Sequence, residues 1–166
     1  MPITPNHIYF FISYAIALVA CGMIGKWYVW PRMVKHDPKT ALTPLLLYAC
    51  LRVNGLMFLI PGIVSTHLPE AFARPTAYGD LAAAVLALLA LAALRYGLTV
   101  AIPAVWLFNI EGTSDLLYAN LSTFKDHVDP ASLGAAYYLA AVNVPAMIVV
   151  HILIFRYLLT LSVARR

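Results

Sequence analysis

The chain has 166 residues, of which 63% are hydrophobic and 11% are charged. Soluble domains carry about 25% charged residues, so this composition excludes an ordinary soluble protein and indicates an integral membrane protein. A transmembrane helix needs roughly 17 to 25 mostly apolar residues, so the length allows roughly four or five spans. We predict an all-α fold, a polytopic transmembrane helix bundle that covers residues 1–166 without a separate soluble domain.

The net charge of +4 comes mostly from Lys and Arg beside the hydrophobic segments, which is how orientation is set in the inner membrane. We therefore expect membrane lipids, and no nucleic acid, around this protein. Cys21 and Cys50 lie inside apolar segments and lack metal-ligand spacing. No zinc, nucleotide, redox or catalytic-triad motif is found in the sequence, so we expect neither a cofactor nor a metal.

The first predicted span covers residues 8–30 and is followed by a basic loop that marks the cytoplasmic side. The N-terminus is then outside, in the inner (plasma) membrane of the cell. The second span, residues 41–66, leads into an outside loop over residues 67–78. Asp80 follows that loop and is predicted to be the N-cap of the third helix.

Residues 81–109 could form one span, but such a helix would be about 43 Å long, too long for a hydrocarbon core of about 30 Å. Arg95-Tyr96-Gly97 is typical of a helix end, with a cation in the last turn and a glycine after it. We therefore predict separate spans over residues 81–96 and 98–121. The last span covers residues 133–163.

Positive charges favour five spans over four, because orientation follows Lys and Arg in short loops. Five spans leave only Arg74 and Lys125 outside and place the C-terminus in the cytoplasm. Four spans, the alternative, divide the charges more evenly and leave Arg95 near mid-membrane. The positive charges that five spans place inside are Lys26, Arg32, Lys35, Lys39, Arg95, Arg165 and Arg166.

Several polar side chains interrupt the spans, where an ionised group costs about 2.5 to 3.5 kcal/mol and usually faces a partner or a water-filled cavity. Asp115 lies one turn nearer the outside than Glu111, and His151 lies two turns inward of Asn143. The similar depth of the polar side chains in their helices predicts one polar pocket that reaches toward the outer leaflet. The residues predicted near the middle of their helices are Arg52, Asn54, Asn109, Glu111 and Asn143.

Glu111 and Asp115 are four residues apart and share one helix face. Arginine stays protonated, so Arg52 is the cation expected to compensate a buried carboxylate. We predict an ion pair between Arg52 and Glu111, with Asp115 or His151 free to exchange a proton. The candidate catalytic residues are Glu111, Asp115 and His151, and the candidate substrate-binding residues are Arg52, Asn54, Asn109, Asn143 and Tyr138.

These residues favour a pocket that binds a small lipophilic substrate and converts it by proton transfer. A proton- or ion-coupled transporter or channel, assembled as a homo-oligomer, is one alternative. A structural subunit of a larger membrane complex is the other. The sequence leaves open whether the protein is an enzyme.

Overall fold

The computed structural model describes residues 4–163. In this range the chain is helical and forms no β-strand, apart from an isolated bridge between Pro61 and Val64, which confirms the all-α class. Arg165 and Arg166, predicted on the cytoplasmic side, lie outside the described residues. The long helices are α1 (Pro5–Met33), α2 (Pro38–Leu59), α3 (Glu70–Arg95), α4 (Ala101–Lys125) and α5 (Leu139–Ser162).

Four of these helices, α1, α2, α3 and α5, are long and apolar enough to cross a membrane. Helix α4 is as long as the others, with 25 residues, but it is not apolar enough to be grouped with them. Asn109, Glu111 and Asp115 all lie in this helix and lower its hydropathy. The one long helix of residues 4–163 that is not grouped with the apolar four is therefore the helix that carries both predicted carboxylates.

Helices α3 and α4 are separate, as predicted, and do not form one rod over residues 81–109. The chain turns at Gly97, which has a φ of +65° in the left-handed region that favours glycine. The Leu98 N–H donates to the Ala93 carbonyl (2.9 Å) and the Gly97 N–H to the Leu94 carbonyl (3.3 Å). These two bonds form the Schellman motif that ends many helices.

The predicted start of the third helix is wrong, because α3 begins at Glu70 and not at residue 81. Pro75 lies inside the helix near its start, where the missing N–H removes a single helical hydrogen bond. Gly79 also lies inside α3. Asp80 is consequently a residue of the helix interior and not its N-cap.

Helix α2 has 22 residues and ends at Leu59, before the end of the predicted span over residues 41–66. Its second half, Leu51–Leu59, is a 3-10 helix. A 3-10 helix rises about 2.0 Å per residue, so α2 is about 38 Å long. The N-cap Asp37 accepts hydrogen bonds from the backbone N–H groups of Lys39 (3.1 Å) and Thr40 (3.3 Å). The helix ends after Leu59, and Ile60 has an extended backbone conformation.

The last helix also begins later than the predicted residue 133. A 3-10 segment, Pro130–Ala136, precedes α5 and is bent at Gly134, which has a φ of +54°. The first turn of α5, Leu139–Asn143, is a π-helix, and Val144–Val163 continues as an α-helix. The predicted final span therefore consists of a short 3-10 segment followed by a long helix.

The helices pack in sequence, α2 on α3, α3 on α4, α4 on α5 and α5 on α1, and the contact between α2 and α3 is the most extensive. Small residues on α3 let the neighbouring helices approach closely. Helix α1 is peripheral, since none of the residues in Pro5–Ile24 is buried. Residues of the main core include Leu42, Leu46, Ala83, Ala87, Ala90, Val105, Phe108, Ile154 and Leu158.

Polar contacts show which helix ends lie together. At one end of the bundle, the Lys39 ammonium group donates to the Arg95 carbonyl (3.2 Å) and the Tyr157 hydroxyl to the His36 carbonyl (2.8 Å). This end holds the start of α2, the end of α3 and the second half of α5. It is also the basic end of the bundle.

At the opposite end, the two long connections pair with each other. The Ser65 N–H donates to the Ser132 carbonyl (2.9 Å), and the Ala135 N–H donates to the Ile63 carbonyl (2.9 Å). The segment after α2 and the segment before α5 therefore form a common cap. Successive helices of the bundle are antiparallel.

Candidate functional site

Arg52 lies at the centre of the bundle with 1% of its surface exposed. It sits in the first turn of the 3-10 helix, where residues three apart share a face. The buried residues of this segment are Arg52, Gly55 and Phe58, which follow that period of three. The same geometry leaves Asn54 exposed, so the structure does not bring Asn54 into the predicted pocket.

The Arg52 guanidinium bonds to groups on three other helices. Its Nε donates to Asp80 Oδ1 (2.8 Å) and its Nη2 to Asp115 Oδ2. Its Nη1 donates to the Gly112 carbonyl (2.9 Å) and lies 3.3 Å from His151 Nε2. Arg52 thus joins α2 to α3, α4 and α5 through one planar group.

The predicted ion pair between Arg52 and Glu111 is wrong, because Arg52 pairs with Asp80 and Asp115. Helix α4 begins and ends three to four residues later than the predicted span over residues 98–121. Its midpoint is therefore residue 113, halfway between Glu111 and Asp115. Oε2 of Glu111 is buried and has no hydrogen-bond partner in residues 4–163.

His151 and Asn109 form a reciprocal pair behind Arg52, and both are buried. The Asn109 amide nitrogen donates to the His151 carbonyl (3.2 Å), which fixes the orientation of the amide. Asn109 Oδ1 then accepts a hydrogen bond from His151 Nδ1 (2.7 Å). The lone pair of His151 Nε2 is consequently left to face Arg52, which suits a neutral imidazole.

Glycines make room for this cluster, because a Cβ atom at any of three positions would overlap its members. At Gly112 the Cβ would lie 2.6 Å from the His151 ring and 2.8 Å from Arg52 Nη1. A Cβ at Gly55 would overlap the Asp80 side chain, and one at Gly79 would overlap the Asp115 side chain. The close approach of Asp115 therefore explains why residue 79, in the interior of α3, is a glycine.

A cavity of about 210 Å³ lies beside the cluster and is lined by all five helices. Arg52, Asp80, Asp115 and Asn143 give it a polar wall. The Asn143 Oδ1 atom accepts a hydrogen bond from the Tyr48 hydroxyl (2.7 Å). The aromatic residues that line the cavity are Phe10, Phe11, Tyr14, Phe58, Phe72 and Phe124.

Thr76 also lines the cavity, and only 5% of its surface is exposed. Its hydroxyl oxygen has no hydrogen-bond partner within the described part of the chain. Phe72, Thr76 and Asp80 are spaced four residues apart on α3, so they share one helix face. This face turns an aromatic ring, a hydroxyl and a carboxylate toward the same space.

Sequence reasoning missed Thr76 and Asp80 because it placed residues 67–78 in a loop. A helix that begins at Glu70 puts both residues on one face. The four-residue spacing of Thr76 and Asp80 was the sequence pattern that could have identified them. Tyr138, a predicted binding residue, is 73% exposed and lies outside the cavity. It follows the 3-10 segment that precedes α5, and its neighbour Tyr137 packs against Phe10 instead, at a ring distance of 5.6 Å.

Asn54 and Tyr138 lie outside the cavity, and the other six predicted site residues fall into three groups. Asp115 and Asn143 line the cavity together with Arg52. His151 and Asn109 lie behind Arg52 and orient each other. Glu111 shares the helix face of Asp115 without bonding to Arg52. The cavity can hold an apolar molecule against its aromatic walls and a polar group against its carboxylates.

No curated protein and no solved structure matches the chain. The model of one protein family, described as Domain of unknown function (DUF8737), matches residues 9–159. The match covers most of the chain, including all of the helices that line the cavity. The chain therefore belongs to this family.

Proposed function

We propose that this protein crosses the inner membrane five times and binds a small lipophilic molecule with a polar group in the cavity between its helices. The observation that carries the proposal is the composition of the cavity, which is lined by aromatic side chains and by members of a buried ion cluster. Ligand sites in proteins are mostly apolar with a few convergent polar groups.

The packing of α4 supports the fifth span. This helix is about 37 Å long at 1.5 Å per residue and packs between α3 and α5. Both neighbours are apolar enough to cross a membrane, so α4 would cross with them, its carboxylates facing inward. The basic end formed by Lys39 and Arg95 would then be cytoplasmic, with the N-terminus outside.

Helix α1 offers a route into the cavity from the bilayer. It forms one wall through Phe10, Phe11 and Tyr14, although Pro5–Ile24 contains no buried residue. Its hydrogen bonds to other helices are few: Tyr14 donates to Asn120 Oδ1 (3.0 Å), and Ser13 lies 3.5 Å from the Tyr137 hydroxyl. A lipophilic molecule could enter by displacing this outer helix.

Conversion of the bound molecule by proton transfer is an extension of this proposal. Asp115 lies on the cavity wall and could exchange a proton with a ligand in reach. A proton-coupled transporter is the second candidate function, favoured by the unpartnered Oε2 of Glu111. Assembly as a homo-oligomer stays a prediction.

The proposal is tested by native mass spectrometry of the protein extracted together with its own membrane lipids. We expect a small molecule to co-purify with the wild type. Ala119 lines the cavity, so Ala119→Phe should fill it and remove that molecule. Ala82 is exposed on α3, and Ala82→Phe is the control that adds the same side chain outside the cavity.

A bound mass that persists in Ala119→Phe would contradict the proposal, since the molecule would then lie elsewhere. An empty wild-type protein would contradict it too, provided that lipophilic compounds added to the preparation also fail to raise its thermal midpoint. A structural subunit would show this second result. Thermal midpoints of both variants identify a loss of binding that comes from unfolding.

A further inference from the structure

The polar wall of the cavity has few hydrogen-bond donors to spare. Arg52 is the only cation among the residues that line the cavity. Its Nε, Nη1 and Nη2 atoms already donate to Asp80, Gly112 and Asp115. A carboxylate or phosphate is bound best by the two parallel N–H groups of a free guanidinium. A fourth N–H group, also on Nη1, faces His151 Nε2, so only one of the five N–H groups of Arg52 is left and no parallel pair is available for an anion.

Hydrogen-bond acceptors, in contrast, are in surplus on the same wall. Asp80 and Asp115 each bond to Arg52 through one oxygen atom. Within residues 4–163, the second oxygen of each carboxylate accepts no side-chain hydrogen bond. The Thr76 hydroxyl oxygen is buried beside them without a partner. A ligand group that donates several hydrogen bonds would satisfy all three.

The charge of the cluster leads to the same conclusion. One guanidinium faces two carboxylates, and Glu111 adds a third acidic group one helical turn away on α4. His151 turns Nε2 toward Arg52 and adds no positive charge. An uncompensated charge is costly in a low-dielectric interior, whereas a bound cation would balance it.

The apolar walls fit a cation with a hydrophobic body. Ammonium groups are attracted to the faces of aromatic rings, and rings of Phe58 and Phe72 line the cavity beside Asp80. A cavity of about 150 Å³ can hold benzene. The cavity here, about 210 Å³, suits a molecule of about ten non-hydrogen atoms.

Resting on the function proposed above, we propose that the molecule held in the cavity is a lipophilic amine. Its ammonium group lies between the Asp80 and Asp115 carboxylates and donates to the Thr76 hydroxyl. Its apolar body packs against the aromatic side chains of α1, α2 and α3. The excess of negative charge in the cluster then makes the site selective, because it repels carboxylates that have the same shape as the amine.

The test compares three probes of similar size: 2-phenylethylamine, 2-phenylethanol and 3-phenylpropionate. Binding is measured by titration calorimetry on the protein in phosphatidylcholine nanodiscs, with empty nanodiscs as the control for partition into lipid. We expect the amine to bind at least about tenfold more tightly than the alcohol, and the carboxylate to bind most weakly. An alcohol or carboxylate that binds as tightly as the amine would overturn the inference but leave the proposed function standing.

Failure of the proposed function has a different signature. None of the three probes would then bind, or all would bind equally well to Ala119→Phe, and either result overturns the inference as well. Asp115→Asn is expected to reduce the preference for the amine over the alcohol to less than about threefold. An undiminished preference in a folded Asp115→Asn protein would overturn the assigned role of this carboxylate.

Asp115→Asn also loses an ion pair and could fail to fold, so Thr76→Val serves as the second variant. The Thr76 hydroxyl has no hydrogen-bond partner among residues 4–163, and valine has the same shape. We expect amine binding to weaken about fivefold with no loss of stability, since one hydrogen bond is removed. Unchanged amine affinity in this variant would place the ammonium group elsewhere.

An amine could be a free small molecule or the headgroup of phosphatidylethanolamine. Nanodiscs that contain phosphatidylethanolamine separate the two sources. Competition between this lipid and 2-phenylethylamine would identify a headgroup that reaches into the cavity. Unchanged binding of 2-phenylethylamine would identify a free amine, and both results support the inference.

Discussion

Replacing Arg52 with leucine tests whether the buried cluster is held by charge or only by hydrogen bonds. Arg52 makes four polar contacts with α3, α4 and α5. Interhelical hydrogen bonds in membranes average about 0.6 kcal/mol, so the loss of these contacts alone would cost about 2 kcal/mol. Removing one partner of a buried ion pair costs about 3 to 5 kcal/mol, because the other charge is left uncompensated.

We expect Arg52→Leu to lower the free energy of unfolding by at least about 3 kcal/mol, since two carboxylates lose their cation. Steric trapping in bicelles measures this quantity for a membrane protein. The triple variant Arg52→Leu, Asp80→Asn, Asp115→Asn should regain more than half of the loss, because the uncompensated charges are gone.

Arg74→Leu is the matched control, since this arginine is also paired with a carboxylate, that of Glu70, but is 66% exposed. Surface pairs contribute at most about 1 kcal/mol, so we expect a change of less than that in Arg74→Leu. The reasoning would be refuted if Arg52→Leu cost no more than Arg74→Leu. It would also be refuted if the triple variant were less stable than Arg52→Leu.

Three further predictions concern other parts of the site. Gly112→Ala should lower the thermal midpoint clearly, since its Cβ would lie 2.6 Å from the His151 ring, whereas Gly22→Ala should leave it unchanged, since its Cβ meets nothing within 4 Å. Equal midpoints for the two variants would contradict this packing. Tyr14→Phe removes the hydrogen bond from α1 to Asn120 Oδ1 and should speed the entry of 2-phenylethylamine in stopped-flow measurements, and an unchanged rate would contradict entry past α1. Glu111→Gln should be at least as stable as the wild type in steric trapping, because Oε2 of Glu111 has no partner to lose among the described residues; a marked loss would reveal a bond that the structure does not contain.

The sequence was sufficient to predict those features that follow from local composition and spacing. Long apolar segments predict membrane helices, and the glycine at position 97 predicts the break between α3 and α4, which the Schellman motif confirms. The four-residue spacing of Glu111 and Asp115 places both on one helix face. The burial of Arg52 follows from the cost of exposing a charge to lipid.

The partners of Arg52 could not be predicted in the same way, because they depend on where neighbouring helices begin. Asp80 follows a glycine, a local pattern that is typical of an N-cap. Only the packing of α3 against Arg52 shows why an aspartate and Gly79 lie inside a helix. Glu111 and Asp115 share one face of α4, so the sequence alone does not decide which of them pairs with Arg52.

Asn54 illustrates a second limit, since agreement in depth along a helix does not place two side chains on one face. Arg52 and Asn54 are two residues apart, and such residues do not share a face in an α-helix or in a 3-10 helix. The tighter turn buries Arg52 with Gly55 and leaves Asn54 exposed. Tertiary packing, more than local preference, decides which type of helix forms there.

The 3-10 segment of α2 contributes both a charged side chain, Arg52, and an aromatic side chain, Phe58, to the lining of the cavity. Arg52 and Phe58 lie at its two ends and are aligned only because three residues complete each turn. Rewinding Leu51–Leu59 into an α-helix would shorten it by about 4.5 Å and rotate Phe58 by about 120° relative to Arg52. The number of residues per turn in this segment therefore sets where Phe58 lies relative to Arg52, and with it the shape of the cavity that both residues line.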